Sequence, residues 1–232
     1  MEDCHLIENF CKEDLYEQLS KEIQFVPRHL LTFSIFGRTF ELPRDKAFYG
    51  TVNADGSTPL YRYGGAFYPQ VLPWTPLLQL LRDQLERETG YNCNHAVINR
   101  YKSGKDHIRF HHDKVRDFQD GMPVCTLSFG GTRTLCLKKD LSGKQVKFIL
   151  SNGSLFVLGL QTNKEWKHKI AKTATTCEPR ISITFRCIKT MRSKEGQVYV
   201  SVLFLLFLEI WRHTIILILV FVISKQLNKY LV

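Results

Sequence analysis

The stretch HIRFHHDKVRDF, residues 107–118, sets three histidines and two aspartates in twelve positions. Imidazole and carboxylate side chains bind metals, but only when they converge. In an extended segment residues i and i+2 point the same way, so His111 and Asp113 share a face while His112 points away. Two histidines and one carboxylate on one side of an octahedral ion form the facial triad of non-haem Fe(II) oxygenases. That arrangement leaves three positions for a bidentate cosubstrate and O2. His-x-Asp alone is a weak signal, and the stretch also reads as a basic surface loop or a nucleic-acid contact. The candidate third ligand is His168 in KEWKHKIAKT, which by itself reads as a surface histidine among lysines.

The segment after it, PRISITFRCI, strengthens the metal reading. Its period of two puts Ile181, Ile183, Phe185 and Cys187 on the core face and Arg180, Ser182, Thr184 and Arg186 on the other. A sandwich interior does not accept two unpaired arginines, because a buried charge must find a partner. Six residues of strand separate their Cα atoms by roughly 20 Å. Two side chains reaching inward leave room for a short dicarboxylate, which guanidinium groups pair bidentately. Asn99 and Tyr101 in VINRY share one face and could add hydrogen bonds to the same anion.

Elements must hold these residues in place. In KEDLYEQLSKEIQ (12–24), Leu15, Leu19 and Ile23 form one stripe of an amphipathic helix. A second helix is expected from Thr75 as N-cap, Pro76 at the first helical position, an apolar face of Leu77, Leu78, Leu81 and Leu85, and Gly90 as the stop. From about residue 95, AVINRY, CTLSFGG, RTLCLKK, VKFIL, SLFVLG and ISITFRCI are short β-rich runs divided by turn residues. Several close-spaced short strands imply a sandwich or barrel with helices packed outside one sheet, a mainly β fold with flanking helices (α+β).

The 232 residues suffice for one domain with appendages. A formal net charge of +10, of which residues 198–232 contribute +2, favours a polyanionic partner such as nucleic acid or an anionic membrane surface. Seven cysteines without a CxxC pair read as reduced thiols of a cytosolic or nuclear protein. The acidic start MEDCHLIENFCKEDL is not expected to act as a secretory signal. Val198–Leu208 and Ile215–Ile223 are apolar, each shorter than the roughly 20 residues a membrane helix needs. Joined, they carry Glu209, Arg212 and His213 near the centre, and such charges cost about 2.5–3.5 kcal/mol each. Membrane association is thus the lesser reading of the tail, beside a partner-binding helix or a stretch outside the working protein.

His111-x-Asp113, the distal His168 and Arg180-x-Ser182-x-x-x-Arg186 resemble the AlkB family of Fe(II)/2-oxoglutarate dioxygenases. The resemblance runs from about residue 30 to 190, with INRYKSGKDHI, LSFGGTR, NGSLFVL and PRISITFR in the family's order. It is nearest to the animal enzymes that repair alkylated bases in duplex DNA. It implies a double-stranded β-helix (jelly-roll) core with an N-terminal nucleotide-recognition extension. It implies that His111, Asp113 and His168 hold Fe(2+), with O2 as cosubstrate, and that Asn99, Tyr101, Arg180, Ser182 and Arg186 surround 2-oxoglutarate. In IFGRTFELPR, Phe36 matches the turn phenylalanine that fills the gap left by a flipped base, followed by Arg38. Tyr61 and Tyr63 in LYRYGG match aromatics that line the base pocket. Core packing for Phe36 and an ordinary strand for the tyrosines are the plainer readings. The sequence departs from the pattern at Lys114 and Val115, where relatives carry an acidic residue after the triad aspartate.

The organisation expected is an N-terminal helical segment (1–30), a nucleotide-recognition region with its supporting helix (31–94), the dioxygenase core (95–190) and a hydrophobic tail (191–232). The activity expected is oxidative demethylation of N-alkylated DNA bases of the 1-methyladenine/3-methylcytosine type, releasing succinate, CO2 and formaldehyde. The partner would be DNA, in double-stranded form, met by a monomer in the nucleus. The alternatives are the same oxidation on RNA or a protein side chain, or a catalytically silent nucleic-acid-binding module.

Overall fold

The computed structural model describes residues 2–35, 38–62, 70–174 and 177–201, and the side chains of all of these except 33–35, 38 and 39. Strand β1 (Cys4–Ile7) and helix α1 (Tyr16–Glu22) precede a pair of strands, β2 (Thr32–Ile35) and β3 (Arg38–Glu41). β4 (Asp45–Gly50), β5 (Thr58–Pro59) and β6 (Leu72–Pro73) lead into α2 (Pro76–Thr89). There follow β7 (His95–Tyr101), β8 (Ile108–His111), β9 (Val124–Gly130), β10 (Arg133–Lys139), β11 (Gln145–Leu150) and β12 (Leu155–Leu158). A short helix α3 (Leu160–Glu165) runs directly into β13 (Trp166–Ile170), and β14 (Arg180–Arg186), β15 (Thr190–Arg192) and β16 (Val198–Val200) close the order.

Two sheets make the sandwich. The larger has the order β1-β12-β9-β14-β7-β4-β6, and the smaller β11-β10-β13-β8. Between them lies a core that joins Phe48, Val97, Val124, Phe156 and Leu158 of the large sheet to Leu135, Leu137, Trp166 and Ile170 of the small one. The large sheet's other face packs under the two longer helices, in a second core that includes Leu19, Leu78, Leu81, Leu85, Ile98, Leu127, Ile183 and Phe185. This is the mainly β sandwich expected from the strand pattern, with the jelly-roll core that the family resemblance implies.

Both helices form where the sequence places them. The Thr75 side chain accepts a hydrogen bond from Leu78 N, Pro76 opens α2, and Gly90 ends it with φ of 75°. Leu78, Leu81 and Leu85 are buried. In α1 the stripe of Leu15, Leu19 and Ile23 is buried too, although the helix itself is only seven residues long.

Three features differ from the sequence reading. The first thirty residues are more than a helical segment, because β1 adds an edge strand to the large sheet by pairing with β12. Tyr61 follows β5 and lies outside any strand. The fold also continues past residue 190, where β15 pairs with both β5 and β16. The apolar run expected from Val198 therefore begins as a strand, and residues 202–232 lie outside the described residues. Among the described residues no helix is long and apolar enough to cross a membrane. All seven cysteines are free.

Gly130 closes β9 opposite Arg180 of β14. Its φ is +81°, and an added Cβ would lie 2.5 Å from the Pro179 carbonyl oxygen and 2.7 Å from the Tyr16 ring. A left-handed backbone and a clash with fixed main chain act together here. Gly130→Ala should lower stability by at least about 2 kcal/mol in urea denaturation.

Candidate active site

The smaller sheet brings two histidines together that are far apart in sequence. β13 runs antiparallel to β8 with His168 opposite His111, and their ring centroids are 4.2 Å apart. β8 ends at His111 and Asp113 follows two residues later, so its carboxylate returns to the same face. His111, Asp113 and His168 each present one ligand atom, and these atoms all lie within 4.8 Å of one another. No other group of three or more potential ligands occurs among the described residues.

Hydrogen bonds fix the orientation of each member. His111 Nδ1 donates to the Arg109 carbonyl at 2.9 Å, which leaves Nε2 as the unprotonated nitrogen, 3.7 Å from Asp113 Oδ1. Asp113 Oδ2 accepts from Arg186 Nη2 at 3.1 Å. Burial alone would raise the Asp113 carboxyl, but Arg186 first, then His168 and His111, hold it down at about 2. Burial lowers His111, and burial with His111 beside it lowers His168 to about 3, so both rings are neutral and able to bind a metal. His112 is held by other partners, with Nδ1 on the Asn163 carbonyl and Nε2 2.9 Å from Asp140. His107 pairs with the Lys105 carbonyl instead.

β14 delivers the two arginines. It lies between β7 and β9. Ile181, Ile183, Phe185 and Cys187 enter the core under the helices. Arg180, Ser182, Thr184 and Arg186 instead line a cavity of about 920 Å³ that also holds the three candidate ligands, Asn99, Tyr101 and Tyr61. Arg180 is 1% exposed. Its Nη2 donates to Ser128 Oγ at 2.9 Å, and Tyr101, its cross-strand neighbour, stands 5.4 Å away. Burial lowers its guanidinium to about 10. Arg186 behaves differently, being spent on Asp113, the Thr184 carbonyl and the Tyr61 ring 4.5 Å beneath it.

Five buried polar side-chain atoms among the described residues lack a partner: His95 Nδ1, His168 Nδ1, Arg180 Nε and Nη1, and Arg186 Nε. Four of the five belong to this site. A buried donor without an acceptor is costly, and two such donors on one guanidinium suit a carboxylate. The donor set therefore fits a divalent iron at His111, Asp113 and His168 and a dicarboxylate reaching Arg180.

Phe36 and Tyr63 lie outside the described residues, as does the Arg38 side chain, although β2 and β3 pair with Ile35 opposite Arg38. Asn99 does line the cavity, but its Oδ1 accepts from Arg44 Nε at 2.9 Å.

Asn163 was not anticipated. Its Oδ1 accepts from Asp113 N and its Nδ2 donates to Asp113 O, both at 2.9 Å. The side chain, 2% exposed on α3, thus clamps the main chain of one candidate ligand five residues before another. Asn in TNKEWKH carries no sequence signal for this, because the contact spans 50 residues.

Residues 3–186 match the model of the 2OG-Fe(II) oxygenase superfamily. The chain belongs to that superfamily. Within it the AlkB-type likeness holds. DNA oxidative demethylase ALKBH2 of Homo sapiens is 34% identical over 185 residues, covering 76% of this chain and 68% of that protein. Alpha-ketoglutarate-dependent dioxygenase alkB homolog 3 of Homo sapiens is 28% identical over 183 residues, covering 75% and 60%. The solved structure of OsALKBH1 superposes with a TM-score of 0.53 at 14% identity, over 79% of this chain and 97% of that one, which supports the fold. This oxygenase is accordingly a dioxygenase that uses Fe(2+) and 2-oxoglutarate.

Removing the amide clamp should loosen the metal site before it loosens the fold. Asn163→Ala should weaken Co(II) binding about 10–100-fold in calorimetric titration, and Asn163→Asp, which keeps the acceptor for Asp113 N–H, should lose less. His95 supplies a pH test. It is buried, and burial first, then Arg186 and Lys46, lower it from 6.5 to about 3. The fold keeps it neutral while the unfolded chain takes up a proton, so its stabilising share is complete above pH 6.5 and is lost as pH falls towards 3. His95→Gln should flatten the fall in unfolding free energy across that window, measured by urea titration at several pH values.

Proposed function

We propose that this dioxygenase removes N-alkyl groups from DNA bases whose ring nitrogen is methylated, the 1-methyladenine/3-methylcytosine type. The products would be succinate, CO2, formaldehyde and the restored base. One observation carries this reading. A His-Asp-His cluster and a buried guanidinium with two unpartnered nitrogens share one cavity, in a chain 34% identical to a DNA oxidative demethylase.

In this reading His111, Asp113 and His168 hold the iron. Arg180 receives the distal carboxylate of 2-oxoglutarate, with Tyr101, Asn99 and Ser182 on the same cavity wall. Arg186 acts mainly through Asp113, occupying one carboxylate oxygen so that the other faces His111. Loaded iron with 2-oxoglutarate and O2 supplies the oxidising equivalent that hydroxylates the N-methyl carbon. The hydroxymethylamine on the base then loses formaldehyde without further help. Tyr61 lines the same cavity, with its ring held against Arg186 and Phe118, and is proposed to contact the base.

Duplex DNA, a nuclear location and a monomeric enzyme complete the proposal, supported by the ALKBH2 likeness and by the +10 net charge. Phe36, Arg38 and Tyr63 are proposed as base-contacting residues on the sequence match alone.

The test is formaldehyde release from methylated single- and double-stranded oligonucleotides with Fe(II) and 2-oxoglutarate. Extruding a base from a duplex costs a few kcal/mol, and an apolar wedge recovers part of it. Phe36→Ala should therefore depress duplex turnover far more than turnover of the same base in a single strand. Equal losses would make Phe36 a packing residue, and release only from methylated RNA would replace DNA as the substrate.

A further inference from the structure

Four residues after the candidate ligand Asp113 stands a second buried carboxylate, Asp117, which takes no part in the metal cluster. It is 1% exposed, and its ion-pair partner is Arg62. Arg62 N donates to Asp117 Oδ2 at 2.9 Å. Arg62 Nε donates to Oδ1 at 3.0 Å and to Oδ2 at 3.1 Å, and Nη2 donates to Oδ1. The Thr190 side chain bonds to the same carboxylate. One side chain thus holds both the backbone and the guanidinium of Arg62, a forked contact that a lysine could not reproduce.

The neighbouring residue on each side repeats the pairing. The Tyr61 ring packs on Phe118 with centroids 5.7 Å apart, and it stands 5.9 Å from the His95 ring. Two consecutive residues, Tyr61 and Arg62, are therefore clasped by two others, Phe118 and Asp117. Tyr61 lies outside any strand, and sheet pairing on its side ends with β5. The other half of the clasp is anchored by main chain. Lys189 N donates to the Asp117 carbonyl and Gln119 N to the Cys187 carbonyl, both at 2.8 Å, just beyond β14. The loop from Asp113 to Phe118 accordingly joins a candidate iron ligand to the holder of an aromatic wall of the same cavity.

We infer that Asp117 is a positioning residue for the substrate: through Arg62 it fixes the Tyr61 ring, and with it the place of the target base relative to the iron ligands. The inference rests on the demethylase reading above and deepens it. An ion pair of purely architectural value would support every property of the site alike. A clasp on the base wall acts on one of them. A loosely seated base presents its methyl carbon in the reacting geometry less often, so 2-oxoglutarate is consumed without repair.

The experiment uses the full chain with Fe(II), 2-oxoglutarate and a single-stranded oligonucleotide carrying 1-methyladenine, so that duplex opening does not enter. Asp117→Asn keeps the shape and an acceptor but not the charge, and Arg62→Lys keeps the charge but not the fork. Asp117→Asn should raise KM for the oligonucleotide at least about tenfold and raise the succinate formed per base repaired. Its Co(II) affinity in calorimetric titration and its KM for 2-oxoglutarate should stay within about twofold of the wild type, since the iron ligands and Arg180 are untouched. Arg62→Lys should move the oligonucleotide KM and the coupling in the same direction by less. Parallel losses in metal affinity and in both KM values make the pair architectural and overturn the inference. Unchanged oligonucleotide KM and coupling in both variants overturn it too. Should Asp117→Asn fail to fold, Arg62→Lys alone is judged by the same criteria. A wild type that repairs no methylated oligonucleotide, with 2-oxoglutarate still consumed, sinks the demethylase reading itself. That outcome is distinct from unmoved variants of an active wild type, which sink the clasp alone.

Discussion

Two guanidinium groups stand inside a β-sandwich, and a buried charge without a partner is among the most expensive things a protein interior can contain. Much of the surrounding structure answers that constraint. β14 sits between β7 and β9, where its backbone is fully paired and its alternation is rigid. One face of the strand is aliphatic and aromatic and is pressed by the helices, so the other has no choice but to carry its arginines inward. Arg186 is neutralised by Asp113, and Arg180 leans on Ser128 and the Tyr101 ring. The second solution is incomplete within the protein itself, and an incomplete solution at a buried position is a site for an anion.

The same constraint ties the His-Asp-His cluster to the strand that carries the arginines. Asp113 serves Arg186 with one oxygen and faces the histidines with the other. A change that neutralised Arg186 would free the carboxylate to rotate and leave a buried negative charge less compensated. Asp113, the two histidines and Arg186 are thus one electrostatic unit.

Much of this was legible in the sequence because it depends on short-range periodicity. The alternation of β14, the cap, proline and glycine of α2, and the shared face of His111 and Asp113 all follow from two- and four-residue spacing. What escaped depends on register between distant segments. His168 draws its sequence support from the arginine strand that follows it, but its place opposite His111 depends on β13 pairing with β8, and Asn163 meets Asp113 only because α3 folds back over the end of β8. β1 was missed for a different reason. CHLI is too short and too mixed to announce a strand, and it becomes one by lying against the edge of β12. The Arg44 contact with Asn99 likewise joins residues 55 positions apart.

The first strand carries one more consequence. Asp3, immediately before β1, accepts hydrogen bonds from Gln161 N and Thr162 N at the start of α3, across a separation of up to 159 residues. α3 carries Asn163 and runs without a break into the strand of His168. Asp3 therefore latches the helix whose Asn163 clamps the main chain of Asp113. Closing so long a loop is among the slower events of folding. During synthesis Asp3 has no partner here until Gln161, 158 residues further on, has been made. The ordering of the Asp113 backbone by Asn163 is thus tied to a contact between segments that are distant in sequence.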